Sequence, residues 1–155
     1  MLNLRRGVVG VVAVLLVGGL ALAQTPTDDI AALRVKANAG DAASQVILGT
    51  KYSDGEDVPQ DYVEAVSWYR LAADQGYARA QYILGLSYAA GQGVPQDDVE
   101  AHKWANLAAS RATFVDRKIY TEERDFRAIL MTSAELAEAQ RRASERQAAF
   151  DARQE

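Results

Sequence analysis

The chain has 155 residues, 49% of them hydrophobic and 25% charged, a balance that suits one compact domain and excludes a disordered or collagen-like chain. A formal net charge of −4 and no basic stripe speak against a nucleic-acid partner, whose phosphates need clustered lysine and arginine. With no cysteine there is no disulfide framework, thiol nucleophile or thiolate metal site.

The first element in chain order is a basic head, "MLNLRR", followed by the apolar run "GVVGVVAVLLVGGLALA" and the small-x-small signal Ala21-Leu22-Ala23 before Gln24. Residues 1–23 are therefore expected to be a secretory signal peptide cleaved after Ala23, which makes the protein periplasmic or secreted. The competing reading is an uncleaved anchor. Residues 7–23 would span roughly 25 Å as helix against the ~30 Å hydrocarbon core, and four glycines weaken them further. No stable membrane span is expected after cleavage, and a lipid anchor would need the cysteine the chain lacks.

Residues 40–75 then align without a gap on residues 76–111, about half the positions being identical, so the period is 36 residues. Self-similarity at this period points to a solenoid, because one unit cannot bury its apolar face alone and stacks on its neighbour. Within a unit, Ala42, Gln45, Gly49 and Tyr52 step by three and four along one face of a first helix. Gly55 closes it and Val58-Pro59 cannot continue it. Asp61 stands three residues before Glu64, as Asp97 does before Glu100, a capping-box-like start for a second helix. Ala65, Trp68, Leu71 and Ala72 are expected on the inner face of that helix, and Gly76 ends it. Gly49 and Gly85 sit inside helices, where glycine costs about 0.5–1 kcal/mol relative to alanine, so a close helix approach is expected there. Trp68 and Trp104 are expected to fill the space between neighbouring helices.

The string AxxQxxLGxxYxxGxxVPQDxxxAxxWxxLAA, satisfied over residues 42–73 and again over 78–109, resembles the Sel-one-like repeat, a relative of the tetratricopeptide repeat. The resemblance implies an all-α, right-handed α-solenoid of antiparallel helix pairs. It also makes residues 24–39, with "ALRVKANA", the second helix of an incomplete leading unit. After Ala109 the "LGxxY" string is missing. "VDRKIYTEERDFRAIL" reads as a helix with Ile119, Phe126, Ile129 and Leu130 turned inward, and "TSAELAEAQRRASERQAAF" as another, opened by a Thr132/Glu135 capping box and carrying Glu138 four residues before Arg142. Residues 112–155 are thus expected to form a polar two-helix cap.

In related tetratricopeptide folds the first helices line a concave groove. The resemblance places Ala43, Val46, Thr50 and Ser53, then Arg79, Tyr82, Leu86 and Ala89, along it, and none of these four pairs is identical between the copies. Val46, Thr50, Ser53, Arg79, Tyr82, Leu86 and Ala89 are the candidate partner-binding residues, with Tyr82 and Leu86 as anchors and Arg79 as a polar clamp. The alternative is that Tyr82 and Leu86 pack on the next helix.

Sites for chemistry are few. His102 is the only histidine and its counterpart is Val66, which favours an exposed or half-buried helix position over a catalytic base and leaves no multi-histidine metal site. The acidic stretch "SDGEDVPQD" lacks EF-hand spacing, and Gly91-Gln92-Gly93 lacks the lysine of a phosphate loop. No cofactor or metal is expected. The expected role is a non-enzymatic interaction module of the bacterial cell envelope, an adaptor, scaffold or regulator that holds a segment of another protein. The runner-up is an enzyme acting on peptidoglycan or envelope polysaccharide through Glu64 and Glu100, and a third reading is a structural subunit of a homo-oligomer joined end to end.

Overall fold

The computed structural model describes residues 26–155; the expected signal peptide and its cleavage point lie outside the described residues. Among the described residues seven helices follow one another: α1 (Pro26–Asn38), α2 (Ala42–Asp54), α3 (Tyr62–Asp74), α4 (Ala78–Ala90), α5 (Asp98–Arg111), α6 (Phe114–Leu130) and α7 (Ser133–Asp151). The described residues contain no strand. Each helix from α1 to α5 packs on the next, and α5 then takes both α6 and α7 against itself. This is the helical solenoid that the 36-residue period predicts.

The helix starts are set by side chains. Asp61 accepts the amides of Val63 and Glu64 at 2.9 and 3.0 Å, and Asp97 accepts that of Glu100 at 2.9 Å. The reciprocal half of the expected box is made only by Glu135, whose carboxylate accepts the Thr132 amide at 2.8 Å. Glu64 instead accepts the indole N–H of Trp68 at 2.9 Å, and Glu100 pairs with Lys103 and Arg142. Gly55 and Gly91 end α2 and α4 in the left-handed region, at φ 70° and 67°, where a side chain would be strained.

The repeat is exact at its junctions. Gln45 donates to the carbonyl of Ala37 at 3.0 Å, and Gln81, 36 residues on, donates to that of Ala73 at 3.1 Å. Arg34 donates to the Tyr52 hydroxyl at 2.7 Å as Arg70 does to that of Tyr88 at 2.9 Å. Since Arg34 and Ala37 stand in the register of Arg70 and Ala73, α1 takes the place of a second helix of a unit. Gly49 and Gly85 mark the close approaches: a β-carbon would lie 3.0 Å from the Ala65 carbonyl oxygen at the first and 3.1 Å from that of Ala101 at the second. Leu48, Leu84, Ala72 and Ala80 close the core beside them, all fully buried.

The second unit is covered where the first is not. α7 lies along the outer side of α5, its Ala143 buried in the core at 3% exposure, and it reaches α3 through an Arg146–Asp74 ion pair. Trp104 is accordingly 3% exposed, with the guanidinium of Arg146 4.7 Å above its ring, whereas Trp68 is only half-buried. The same asymmetry overturns one expected core position. Leu71 is 49% exposed while its counterpart Leu107 is 3% exposed.

The cap also differs from expectation. Ile119, Phe126, Ile129 and Leu130 face outward, at 52%, 53%, 81% and 65% exposure. The face that α6 turns to the array carries Tyr120, buried, with Asp116, Glu123, Arg124 and Arg127 half-buried around it. Tyr120 stacks on Tyr82 of α4, and Arg127 lies 2.7 Å from Glu123 and 4.0 Å from Asp98 of α5. The ring stack and these partners hold the polar face inward, so the apolar side chains are left outside.

Candidate functional site

The candidate residues on α2 and α4 fall into three groups. Val46 is 3% exposed and belongs to the core between α2, α3 and α4, which corrects its assignment to a binding surface: its isopropyl group faces the second helices. Thr50 is committed internally, its hydroxyl donating to the Val46 carbonyl at 3.0 Å and accepting the Tyr69 hydroxyl at 3.4 Å. Burial pushes the Tyr69 phenol above its ordinary range, with the bonds to Thr50 and Ser53 opposing.

Tyr82 is the second case. Its ring lies 4.5 Å from that of Tyr120, with the planes 20° apart, an offset stack that joins α4 to α6. Burial raises its pKa, with Glu123 adding to the rise and Arg127 opposing it. Tyr82 is therefore first a packing residue, the alternative the sequence left open.

The third group is available. Arg79 is exposed, and Ser53, Leu86 and Ala89 are half-buried. Ser53 and Leu86, from successive first helices, line one cleft of about 160 Å³ whose walls include Tyr62, Val66, Tyr69 and Ile83. The structure thus brings these two predicted residues together across the unit boundary. A wider recess of about 370 Å³ lies between α5 and α7, lined by Asn106, Leu107, Ser110, Ser144 and Gln147 among others.

The carboxylates weighed for chemistry have structural partners. Glu64 is bound to Trp68, and Glu100 is held by Lys103 and Arg142. Burial pushes the Glu100 carboxyl up, but the Lys103 and Arg142 cations outweigh it and hold the pKa below the usual range. Burial draws the Lys103 ammonium down despite its bond to Glu100. Glu138, between Arg141 and Arg142, is lowered to about 2. His102 is 3% exposed, not exposed or half-buried as expected; it sits against α6, where burial lowers its pKa and its Nδ1 has no hydrogen-bond partner. Its counterpart Val66 is equally buried at 3%, which was the signal in the sequence. No group of three or more histidine, aspartate or glutamate side chains among the described residues is placed to hold a metal ion. No described helix is long and apolar enough to cross a membrane.

Missed by sequence reasoning was the outer face of α6, with Phe114 and Val115 at 93% and 81% exposure beside the four residues named above. The 36-residue register, continued past Leu84, falls on Tyr120 and would have pointed to it as the inward residue.

The sequence profile of the Sel1 repeat matches residues 42–77 and 78–112. Among solved structures, the chain is similar to c5321, a protective antigen present in uropathogenic Escherichia coli strains displaying an SLR fold. The two are 31% identical with a TM-score of 0.71, over 77% of this chain and 25% of that one. It is also similar to a Sel1 repeat protein from Oxalobacter formigenes, 38% identical with a TM-score of 0.54, over 56% of this chain and 66% of that one. The chain therefore spans about a quarter of the first relative's length. No curated protein matches it. The paired helices, their 36-residue junctions and these likenesses together make the chain a Sel1-repeat protein, two consecutive repeats set between α1 and the helices α6 and α7.

Proposed function

We propose that the protein is a non-enzymatic interaction module of the bacterial cell envelope that holds an extended segment of another protein along its first helices. The cleft shared by Ser53 and Leu86 carries this reading. At about 160 Å³ it is smaller than the roughly 300–1,000 Å³ typical of small-molecule sites, and it has room for one partner side chain. Arg79 on α4, exposed, supplies a cation for a carboxylate or carbonyl of the segment, and Ala89 leaves space for its backbone.

The envelope setting rests on the signal-peptide pattern of residues 1–23. Protein partners are what Sel1 repeats suggest. The enzyme alternative is disfavoured by the engagement of Glu64 with Trp68 and of Glu100 with two cations, which leaves neither carboxylate poised for proton transfer.

A photo-reactive residue placed at Ser53, Arg79 or Leu86 in intact cells is expected to cross-link one and the same envelope protein, and one placed at Ser144 on α7 to leave it untouched. Cross-linking that is equal at Ser144, or absent from all three groove positions, rejects the groove. Amino-terminal sequencing of the protein recovered from the periplasm is expected to begin at Gln24.

A further inference from the structure

We propose that the outward face of α6 is a homodimer surface, two copies pairing α6 against α6 in antiparallel sense about a two-fold axis at Glu122. Phe114, Val115, Ile119, Phe126, Ile129 and Leu130 expose 93%, 81%, 52%, 53%, 81% and 65% of their surface on one side of a single helix, and no described helix covers them. At roughly 150–250 Å² for a large apolar side chain, this comes to on the order of 800 Å² per copy, the per-partner area of a stable interface. It is also larger than the apolar patches monomers ordinarily leave in water.

The occupant follows from the symmetry of the pattern. Three of the apolar residues precede Glu122 and three follow it, with Phe114 and Leu130 each eight residues away. An antiparallel pair therefore sets Phe114 opposite Leu130 and Val115 opposite Ile129, twice over, with Ile119 opposite Asp125 and one residue out of register from the mate's Phe126, so the apolar ends of the stripe are self-complementary and its waist is mixed. The charges agree. Lys118 lies 3.8 Å from Glu122 at the waist of the stripe. In the pair, each Glu122 has its own Lys118 one helical turn to one side and the mate's Lys118 one turn to the other, so the two carboxylates that meet on the axis are flanked by two ammonium groups that offset their repulsion. Antiparallel helices also set each positive end beside a negative one. A membrane surface is the poorer occupant: residues 114–130 carry four basic and four acidic side chains, without the cationic excess that anionic lipid attracts.

The test uses the protein purified from cells. Sedimentation over a rising concentration series is expected to show the mass moving from that of one copy to that of two. The variant Phe126→Glu with Ile129→Glu is expected to associate at least about 100-fold more weakly, roughly 2.7 kcal/mol, with unchanged far-ultraviolet circular dichroism because both positions face solvent in the single copy. Since the chain has no cysteine, Glu122→Cys is expected to give a disulfide-linked dimer on mild oxidation, while Ser144→Cys on α7 does not. A single-copy mass at every concentration, a dimer that survives the double glutamate substitution, equal cross-linking by Ser144→Cys, or binding to anionic vesicles in place of dimerisation would each overturn the proposal.

Discussion

Gly49→Ala and Gly85→Ala make the same change at the same place in the two repeats, and the structure gives them different outcomes. A β-carbon at Gly49 lies 2.6 and 2.8 Å from two ring carbons of Tyr69 and 3.0 Å from the Ala65 carbonyl oxygen. Ordinary carbon contacts lie near 3.5–4.0 Å, so the ring must move by about 1 Å. It has little room, being 4% exposed and tied through its hydroxyl to Thr50. Overpacking of this kind costs about 1–3 kcal/mol, against about 1 kcal/mol gained from the better helix propensity of alanine, which leaves a net loss of up to about 2 kcal/mol. At Gly85 the counterpart of Tyr69 is Ala105, and the nearest atoms are at 3.1, 3.4 and 3.5 Å. A shift of a few tenths of an ångström relieves these, so the two effects cancel to within about 0.5 kcal/mol. Urea unfolding followed by circular dichroism reads the difference as a lower midpoint at unchanged slope for Gly49→Ala alone. In a Tyr69→Leu background the cost of Gly49→Ala should fall by about 1 kcal/mol, because the ring edge is gone. The reasoning fails if the two alanine variants are equally stable, or if Tyr69→Leu leaves the cost unchanged.

Three further outcomes are expected. His102 has its pKa drawn below 6.5 by burial, next to the backbone of Arg124 and the charges of Arg124 and Asp125 on α6, so it contributes stability above pH 6.5 that is lost as pH falls below that value through its folded pKa. His102→Val, the residue its counterpart Val66 already is, should raise stability by about 1 kcal/mol by removing an unsatisfied nitrogen and should flatten the melting temperature between pH 7 and 5. Ala143→Asp puts a charge into the seam between α7 and α5 and should cost at least about 3 kcal/mol, with hydrogen exchange in α7 rising first; slow exchange there would mean that the seam is not what holds α7. A double-mutant cycle of Tyr82→Leu and Tyr120→Leu should give a coupling of about 0.5–1.5 kcal/mol, and a coupling of zero would show that the ring stack does not fix α6.

The sequence made the repeat architecture legible because its signals are local and written twice: Asp61 and Asp97 as caps, Gly55 and Gly91 as left-handed closures, Gly49 and Gly85 as close approaches. What it hid depends on tertiary cover. Leu71 and Leu107 are the same residue in the same register, yet only Leu107 lies under α7. Hydropathy pointed the apolar side of α6 inward, whereas in the single copy that side faces outward and the inner side carries the Tyr120 stack and the Arg127 ion pairs. In the candidate groove, Ser53 and Leu86 were legible as positions that vary between the copies, whereas Val46, also variable, had been drawn into the core by its neighbours on α3 and α4.

The junction made by Gln45 and Arg34 with the helix before them, and remade 36 residues later by Gln81 and Arg70, behaves as a plug and socket present on both edges of a unit. A third copy of residues 40–75 spliced in after Gln75 would meet the same donors and acceptors on each side, and with glycine in place of its Asp57, as Gly93 stands against the Tyr62 carbonyl, the molecule could be lengthened one module at a time.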